Sequence, residues 1–361
     1  MTLKRILVIN PFGIGDTLFT LTLVEALRKA LPGVSIGFLC NERTRALVKM
    51  DASVDRVFIF NRDLMRRLWR RHPLLCFKKL RMLLGEIGEQ KYDAVFDVSL
   101  GRQYSFFMLW LGIPQRIGFN FKGRGLFLTH KLPLKGYEGA PVADIQLSLL
   151  DTLGLPRGEG VSRIPLKVDD HARKDAEAFL RKSGISESDA LLAVAPGGGK
   201  SWGRDAVYKQ WDPERFADVT NALASAHGFK VLLLGDKSEE PLLSRVAGRI
   251  AARKVVAAGE SFDKVCALLL RSRALLCNDG GLMHLANALG VRTVSVFGPV
   301  DERVYGPYGE DAPHAIITQA VPCRPCYSRF HFPACPYERR CLADLSAEKV
   351  LDAARKVLSL D

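Results

Sequence analysis

No run of the 361-residue chain approaches the roughly 20 consecutive apolar residues that a membrane-crossing helix needs. The first apolar run, Ile6 to Ile9, stops at Asn10-Pro11 and is too short for the core of a secretory leader. A cytoplasmic chain is therefore expected, with its eight cysteines held as thiols or metal ligands rather than disulfides. Internal repeats and low-complexity tracts are also missing. With 48% hydrophobic and 25% charged residues, the composition excludes a disordered chain, a collagen-like repeat and a small disulfide scaffold. Acidic residues are in deficit, 39 against 52 basic, and the net charge of +13 points to an anionic partner. The excess is lopsided. Residues 1–160 carry 24 basic and 14 acidic side chains, whereas residues 161–361 carry 28 and 25.

Short β-rich runs alternate with helical patterns along nearly the whole length. The strand candidates are Arg5–Ile9, Val34–Leu39, Arg56–Phe60 and Ala94–Val98, then Leu191–Ala195, Lys230–Leu234, Val255–Ala258, Ala274–Cys277 and Thr293–Phe297. Between them Leu18–Leu31, Asp170–Ser183, Pro213–His227 and Asp263–Arg271 place apolar residues at helical spacing. Apolar strands alternating with helices predict an α/β fold of two doubly wound, Rossmann-like domains facing across a cleft. One set of units ends near Val98 and a second restarts near Leu191, so the Gly- and Pro-rich stretch between them holds the link. The boundary is predicted near residue 165, giving domains 1–165 and 166–361, the second ending in a helix.

Three segments sit where chemistry is expected, at strand ends. The first, Asn10-Pro-Phe-Gly-Ile-Gly-Asp16, has the G-x-G of a dinucleotide fingerprint. It lacks the third glycine, and no acid follows the second strand, which argues against a nicotinamide-dependent oxidoreductase. Asp16 reads either as a helix cap or as a carboxylate able to accept a proton. The second, Pro196-Gly-Gly198-Gly-Lys200-Ser201, fails as a P-loop because Val194 stands where glycine is required. Asp212-Pro213 starts the next helix instead, which leaves glycine N–H groups, Lys200, Ser201 and Lys209 available to a phosphate. The third runs Asn278-Asp279-Gly280-Gly281-Leu282-Met283-His284, a strand end entering a helix whose N-terminus suits an anion. Asp279 has the reach for a sugar hydroxyl, while His284 is as readily a core histidine as a ligand.

Two further features stand apart. Cys323, Cys326, Cys335 and Cys341 form C-x2-C-x8-C-x5-C, a spacing that suggests a structural zinc ion or an iron–sulfur cluster. Cys40, Cys76, Cys266 and Cys277 lie in apolar contexts and read as core. Residues 62–81 hold Arg62, Arg66, Arg67, Arg70, Arg71, Lys78, Lys79 and Arg81 against one acid, interleaved with Leu, Met, Trp and Phe. A basic amphipathic segment of this kind suits an anionic membrane surface. Nucleic-acid binding competes from charge alone, but no recognised binding module occurs.

The ordered set of motifs resembles glycosyltransferase family 9, the ADP-heptose:lipopolysaccharide heptosyltransferases and their relatives. The resemblance rests on Gly-Ile-Gly-Asp16, Pro196-Gly-Gly-Gly, Lys209-Gln-Trp-Asp-Pro-Glu-Arg-Phe216, Gly235 with Glu239, and Asn278-Asp-Gly-Gly-Leu-Met-His284. It implies a GT-B architecture, with the lipid-linked acceptor on the first domain and the nucleotide-sugar on the second. Asp16 then matches the general base, Lys209 the donor-phosphate lysine, Glu239 a ribose contact, and Asp279 to His284 the donor turn. An inverting transfer to a lipopolysaccharide core or lipid A acceptor is implied, with no cofactor for catalysis, on the cytoplasmic face of the inner membrane. Asp-Gly-Gly replaces the Asp-Thr-Gly frequent among characterised heptosyltransferases, and Gly-Gly-Gly-Lys replaces their hydroxyl residues.

Overall fold

The computed structural model describes residues 3–158, 166–199, 203–309 and 312–359. The chain divides into two compact units, Met1–Lys167 and Val168–Asp361. In the first, strands β1 (Arg5–Asn10), β2 (Ser35–Cys40), β3 (Arg56–Ile59), β4 (Ala94–Asp97), β5 (Gln115–Phe121) and β6 (His130–Leu134) form one parallel sheet. Its order is β3-β2-β1-β4-β5-β6. The connecting helices are α1 (Ile14–Ala30), α2 (Arg45–Met50), α3 (Arg62–Arg71), α4 (Pro73–Gly88), α5 (Arg102–Trp110) and α6 (Val142–Leu147).

In the second unit β7 (Leu191–Ala195), β8 (Lys230–Gly235), β9 (Lys254–Ala258), β10 (Ala274–Asn278), β11 (Arg292–Phe297) and β12 (His314–Thr318) repeat the scheme, ordered β12-β11-β10-β7-β8-β9. Its helices are α7 (Asp170–Lys182), α8 (Pro213–His227), α9 (Glu240–Arg249), α10 (Phe262–Arg271), α11 (Gly281–Ala288), α12 (Glu302–Tyr305), α13 (Arg340–Ala343) and α14 (Ala347–Leu358). Each sheet winds outward and then restarts beside its first strand. The restart leaves a crevice at the carboxyl ends of β1 and β4, and another at those of β7 and β10, where ligands of such sheets bind.

The strands form where apolar β-formers run together. Ile6, Leu7, Val8 and Ile9 of β1 and Leu191 to Val194 of β7 are wholly buried or nearly so, as strands covered on both faces must be. Helix starts follow local chemistry. The Asp212 carboxylate accepts from the N–H groups of Glu214 (2.8 Å) and Arg215 (3.3 Å), with Pro213 in the first turn of α8.

Three strands were not expected. β5 and β6 extend the first sheet past Val98 through part of the Gly- and Pro-rich stretch taken for the link, and β12 adds an edge to the second. Gly118 of β5 is there for close approach, since a Cβ would lie 2.5 Å from the Asp97 carbonyl oxygen. Pro133 sits in β6, an edge strand that tolerates a missing N–H.

Candidate active site

Asp16 lies in the first turn of α1, half-buried, with Gly13 rather than Asp16 at the helix cap. The cap reading therefore falls, and the carboxylate stands at the carboxyl end of β1 beside the β1/β4 crevice. Gly13 is extended (φ −83, ψ −174), so this turn does not draw on glycine's left-handed freedom. A buried polar relay fixes the place of Asp16. The Asn10 Nδ2 donates to the Asp16 carbonyl (2.9 Å) and to Thr20 Oγ1 (2.6 Å), and Thr20 Oγ1 donates to Gln146 Oε1 (2.8 Å). All three relay residues are at most 1% exposed, so the end of β1, α1 and α6 are tied by bonds that water does not compete for. Burial, and then the Asp16 charge, push the ionisation of the Tyr137 phenol up, which places Tyr137 within the field of Asp16. Asp97 closes β4 next to this loop. Desolvation raises its carboxyl to about 6 although Ser99 donates to it through N–H and hydroxyl.

In the second unit the crevice between β7 and β10 gathers the other candidate segments. Lys209, at the end of a short 3₁₀ helix Gly203–Lys209, places Nζ 2.7 Å from Asp279 Oδ2, with side chains only 8% and 4% exposed. This is a buried ion pair joining residues 70 positions apart in sequence. His284 of α11 is buried beside it, and desolvation lowers its pKa to about 4, which keeps the imidazole neutral at physiological pH. Gly280, in extended backbone, stands at the cap of α11 and has no side chain to cap it, so the helix opens on its first-turn N–H groups at Gly281 and Leu282 without a capping side chain from that residue.

Asn278 organises the surroundings. Its amide donates to the carbonyls of Pro196 (2.8 Å) and Gly197 (3.3 Å), and its oxygen accepts from the Trp211 N–H (3.0 Å). The fully buried Trp211 in turn donates from Nε1 to Leu345 (3.1 Å). The glycine loop is pinned from the other side by Glu239, which accepts from the N–H groups of Gly199 (3.1 Å) and Asp236 (3.0 Å). Each glycine has its own reason. A Cβ on Gly197 would lie 2.1 Å from Glu239, one on Gly198 would lie 2.6 Å from the Ala206 carbonyl, and Gly199 holds φ +70.

The structure thus brings Lys209, Gly198, Glu239, Asp279, Gly280, Gly281, Leu282 and His284 to one crevice. Lys200 and Ser201 lie outside the described residues. Asn10, Thr20, Gln146, Tyr137 and Trp211 were not foreseen as site residues. A buried Asn at the end of an apolar strand, as at positions 10 and 278, was the available signal. All eight cysteines are unbridged, and Cys40, Cys76, Cys266 and Cys277 are buried as expected. Among the described residues no three His, Cys, Asp or Glu side chains are arranged to hold a metal ion. Cys323, Cys326, Cys335 and Cys341 nevertheless lie in one neighbourhood, since the Cys326 thiol is pushed up by burial and then by Cys323 and Cys335, and the Cys341 thiol by burial and then by the other three.

Against known proteins, the family model described as glycosyltransferase family 9 (heptosyltransferase) matches residues 80–331. The chain belongs to glycosyltransferase family 9. This glycosyltransferase is 25% identical to lipopolysaccharide heptosyltransferase 1 of Pseudomonas aeruginosa over 362 aligned positions, covering 96% of this chain and 93% of that protein. Among solved structures it matches a family 9 glycosyltransferase from Veillonella parvula (TM-score 0.81, 21% identity, 100% and 99% of the two chains covered). It also matches the E. coli heptosyltransferase WaaC with ADP (TM-score 0.72, 19% identity, 98% and 99% covered). These structural likenesses establish the fold of the family 9 enzyme, a GT-B type pair of Rossmann-like domains.

Proposed function

We propose that this glycosyltransferase moves a heptose from ADP-heptose to the core of a lipopolysaccharide precursor, inverting the anomeric configuration. The observation that carries the reading is the buried Lys209–Asp279 pair beside an uncapped helix N-terminus, within a family of heptosyltransferases. WaaC of E. coli, which shares the fold, has been solved with ADP and with ADP-2-deoxy-2-fluoro heptose.

The chemistry follows from the residues. Asp16, fixed by the Asn10–Thr20–Gln146 relay, takes the proton of the acceptor hydroxyl as that oxygen attacks the anomeric carbon. The bond to the leaving diphosphate breaks, and its negative charge is met by the Lys209 ammonium, with Lys200 and Ser201 nearby in sequence, and by the start of α11 at Gly280–Leu282. Those charges let the transfer proceed without a divalent cation. Asp279 orients Lys209 and meets a sugar hydroxyl, and Glu239 has lone pairs left for the ribose beyond the two N–H groups it accepts.

A donor panel tests this. An ADP-sugar at about 100 times its Kd should add about 2.7 kcal/mol of stability, read as a raised thermal midpoint. UDP- and GDP-sugars should give less. A shift with NAD or an oligonucleotide alone would overturn the reading.

The acceptor is lipid-linked, and the basic segment fits its surroundings. Pro73 splits residues 62–88 into α3 and α4, and none of α3 is buried. Trp69 (69% exposed), Leu74 (86%) and Phe77 (63%) stand out among the arginines and lysines. Among the described residues no helix is long and apolar enough to cross a membrane. In this reading α3 and the start of α4 lie on the anionic cytoplasmic face of the inner membrane, apolar side chains inserted and Arg62, Arg66, Arg67, Arg70 and Arg71 on the headgroups. Changing Arg66, Arg67, Arg70 and Arg71 together to Gln should weaken binding to phosphatidylglycerol vesicles by roughly 10²–10³-fold, at about 1 kcal/mol per residue. ADP affinity should not change. Sedimentation with the vesicles and calorimetry with ADP measure the two.

A further inference from the structure

The cysteine-rich segment 322–343 contributes no residue to the chemistry above, yet it grips two loops at the carboxyl rim of the second sheet. One is the 3₁₀ helix that ends in Lys209. The Phe332 ring packs on Tyr208 with centroids 4.6 Å apart, and Arg339 Nη1 donates to the Val207 carbonyl at 2.8 Å. Val207 and Tyr208 are the two residues immediately before Lys209. The other is the loop after β11. Arg324 donates to the carbonyls of Gly298 (2.7 Å) and Val300 (3.1 Å) and pairs with Glu302 (2.5 Å). The N–H groups of Cys326 (3.0 Å) and Tyr327 (3.1 Å) both reach the Pro299 carbonyl. Within the segment, the Arg339 N–H donates to Cys335 Sγ (3.4 Å), which links the thiol-bearing backbone to the residue that holds Val207.

We propose that this segment is a strap that sets the position of Lys209, with Arg339 and Phe332 as positioning residues for donor binding. The inference rests on Lys209 being the donor-phosphate lysine. The physical reason is that the strap holds the two residues whose backbone leads directly into Lys209. Val207 is 46% exposed, and the strap grips Val207 and Tyr208 on one side while Asp279 and Asn278 hold Lys209 and Trp211 on the other. Released from the strap, residues 207–208 relax, and the ammonium no longer meets the diphosphate in its set geometry. A displacement of about 1 Å at such a site can cost around 10²-fold.

The test compares wild type, Arg339→Ala, Phe332→Ala and the milder Arg339→Gln and Phe332→Leu, with Lys209→Ala as the reference. ADP affinity is measured by calorimetry, and KM for donor and acceptor by steady-state kinetics. The strap predicts that Arg339→Ala and Phe332→Ala each weaken ADP binding and raise donor KM by about tenfold, with acceptor KM unchanged. Phe332→Leu should recover part of the loss. Unchanged ADP affinity in both alanine variants, while Lys209→Ala loses it, overturns the strap alone. An equal loss for donor and acceptor overturns it too, since a general loosening has no preference. Failure of the wild-type protein to bind ADP would instead bring down the donor reading on which the strap depends.

Discussion

Replacing Asp16 with alanine is expected to lower the transfer rate by about 10²–10⁴-fold, the usual worth of a positioned general base. ADP affinity should stay within about twofold, because no donor contact argued above involves this side chain. The loss falls on kcat rather than on either KM, since the proton moves only as the new bond forms. The fold should survive. The relay beneath Asp16 uses its backbone carbonyl, which alanine retains, and the favourable placing of a carboxylate in the first turn of α1 is lost. That is worth about 0.3–1 kcal/mol. Asp16→Asn should be nearly as inactive, because an amide keeps the shape and cannot take the proton. Steady-state kinetics with calorimetry on the same preparations check both variants.

Lys209→Ala should do double damage. In the proposed mechanism the ammonium supplies charge to the leaving diphosphate, and removing one preorganised group of this type costs about 10²–10³-fold in rate. It also leaves Asp279, with a side chain 4% exposed, without its cation. Breaking a buried pair from one side costs about 3–5 kcal/mol, which lowers the thermal midpoint by roughly 10 °C in a unit of this size. Pairing Lys209→Met with Asp279→Asn separates the two effects. The double variant should regain much of the lost stability, because no buried charge is stranded, while transfer stays lost. If the double variant regained activity along with stability, Lys209 would be holding the fold rather than the donor.

Much of this was legible in the sequence. The nine anticipated strands are continuous apolar runs that a buried parallel sheet requires, and each lies within a residue or two of its place. β5, β6 and β12 escaped because Gly118, Asn120 and Pro133 are turn formers by themselves, and β12 is a half-exposed edge. Gly118 becomes explicable only when Asp97 of the neighbouring strand lies against it. The site shows the same division. Asp16, the glycine loop and Asp279–His284 were visible because each follows a strand end. That Lys209 pairs with Asp279, that Asn278 binds two loops, and that Arg339 reaches Val207 are contacts across 70, 82 and 132 positions. No local pattern encodes them. The cysteine spacing suggested a metal; what it could not convey is the anchoring of the same segment through Arg324, Phe332 and Arg339.

The central claim is inverting heptose transfer with Asp16 as base. Its most direct test is product analysis by mass spectrometry and NMR after incubation with ADP-heptose and a panel of truncated lipopolysaccharide acceptors. The account predicts an acceptor carrying one added heptose, its anomeric configuration opposite to that in the donor, with wild-type protein and none with Asp16→Ala. A product of retained configuration, or wild-type turnover by the Asp16→Ala variant, would contradict it.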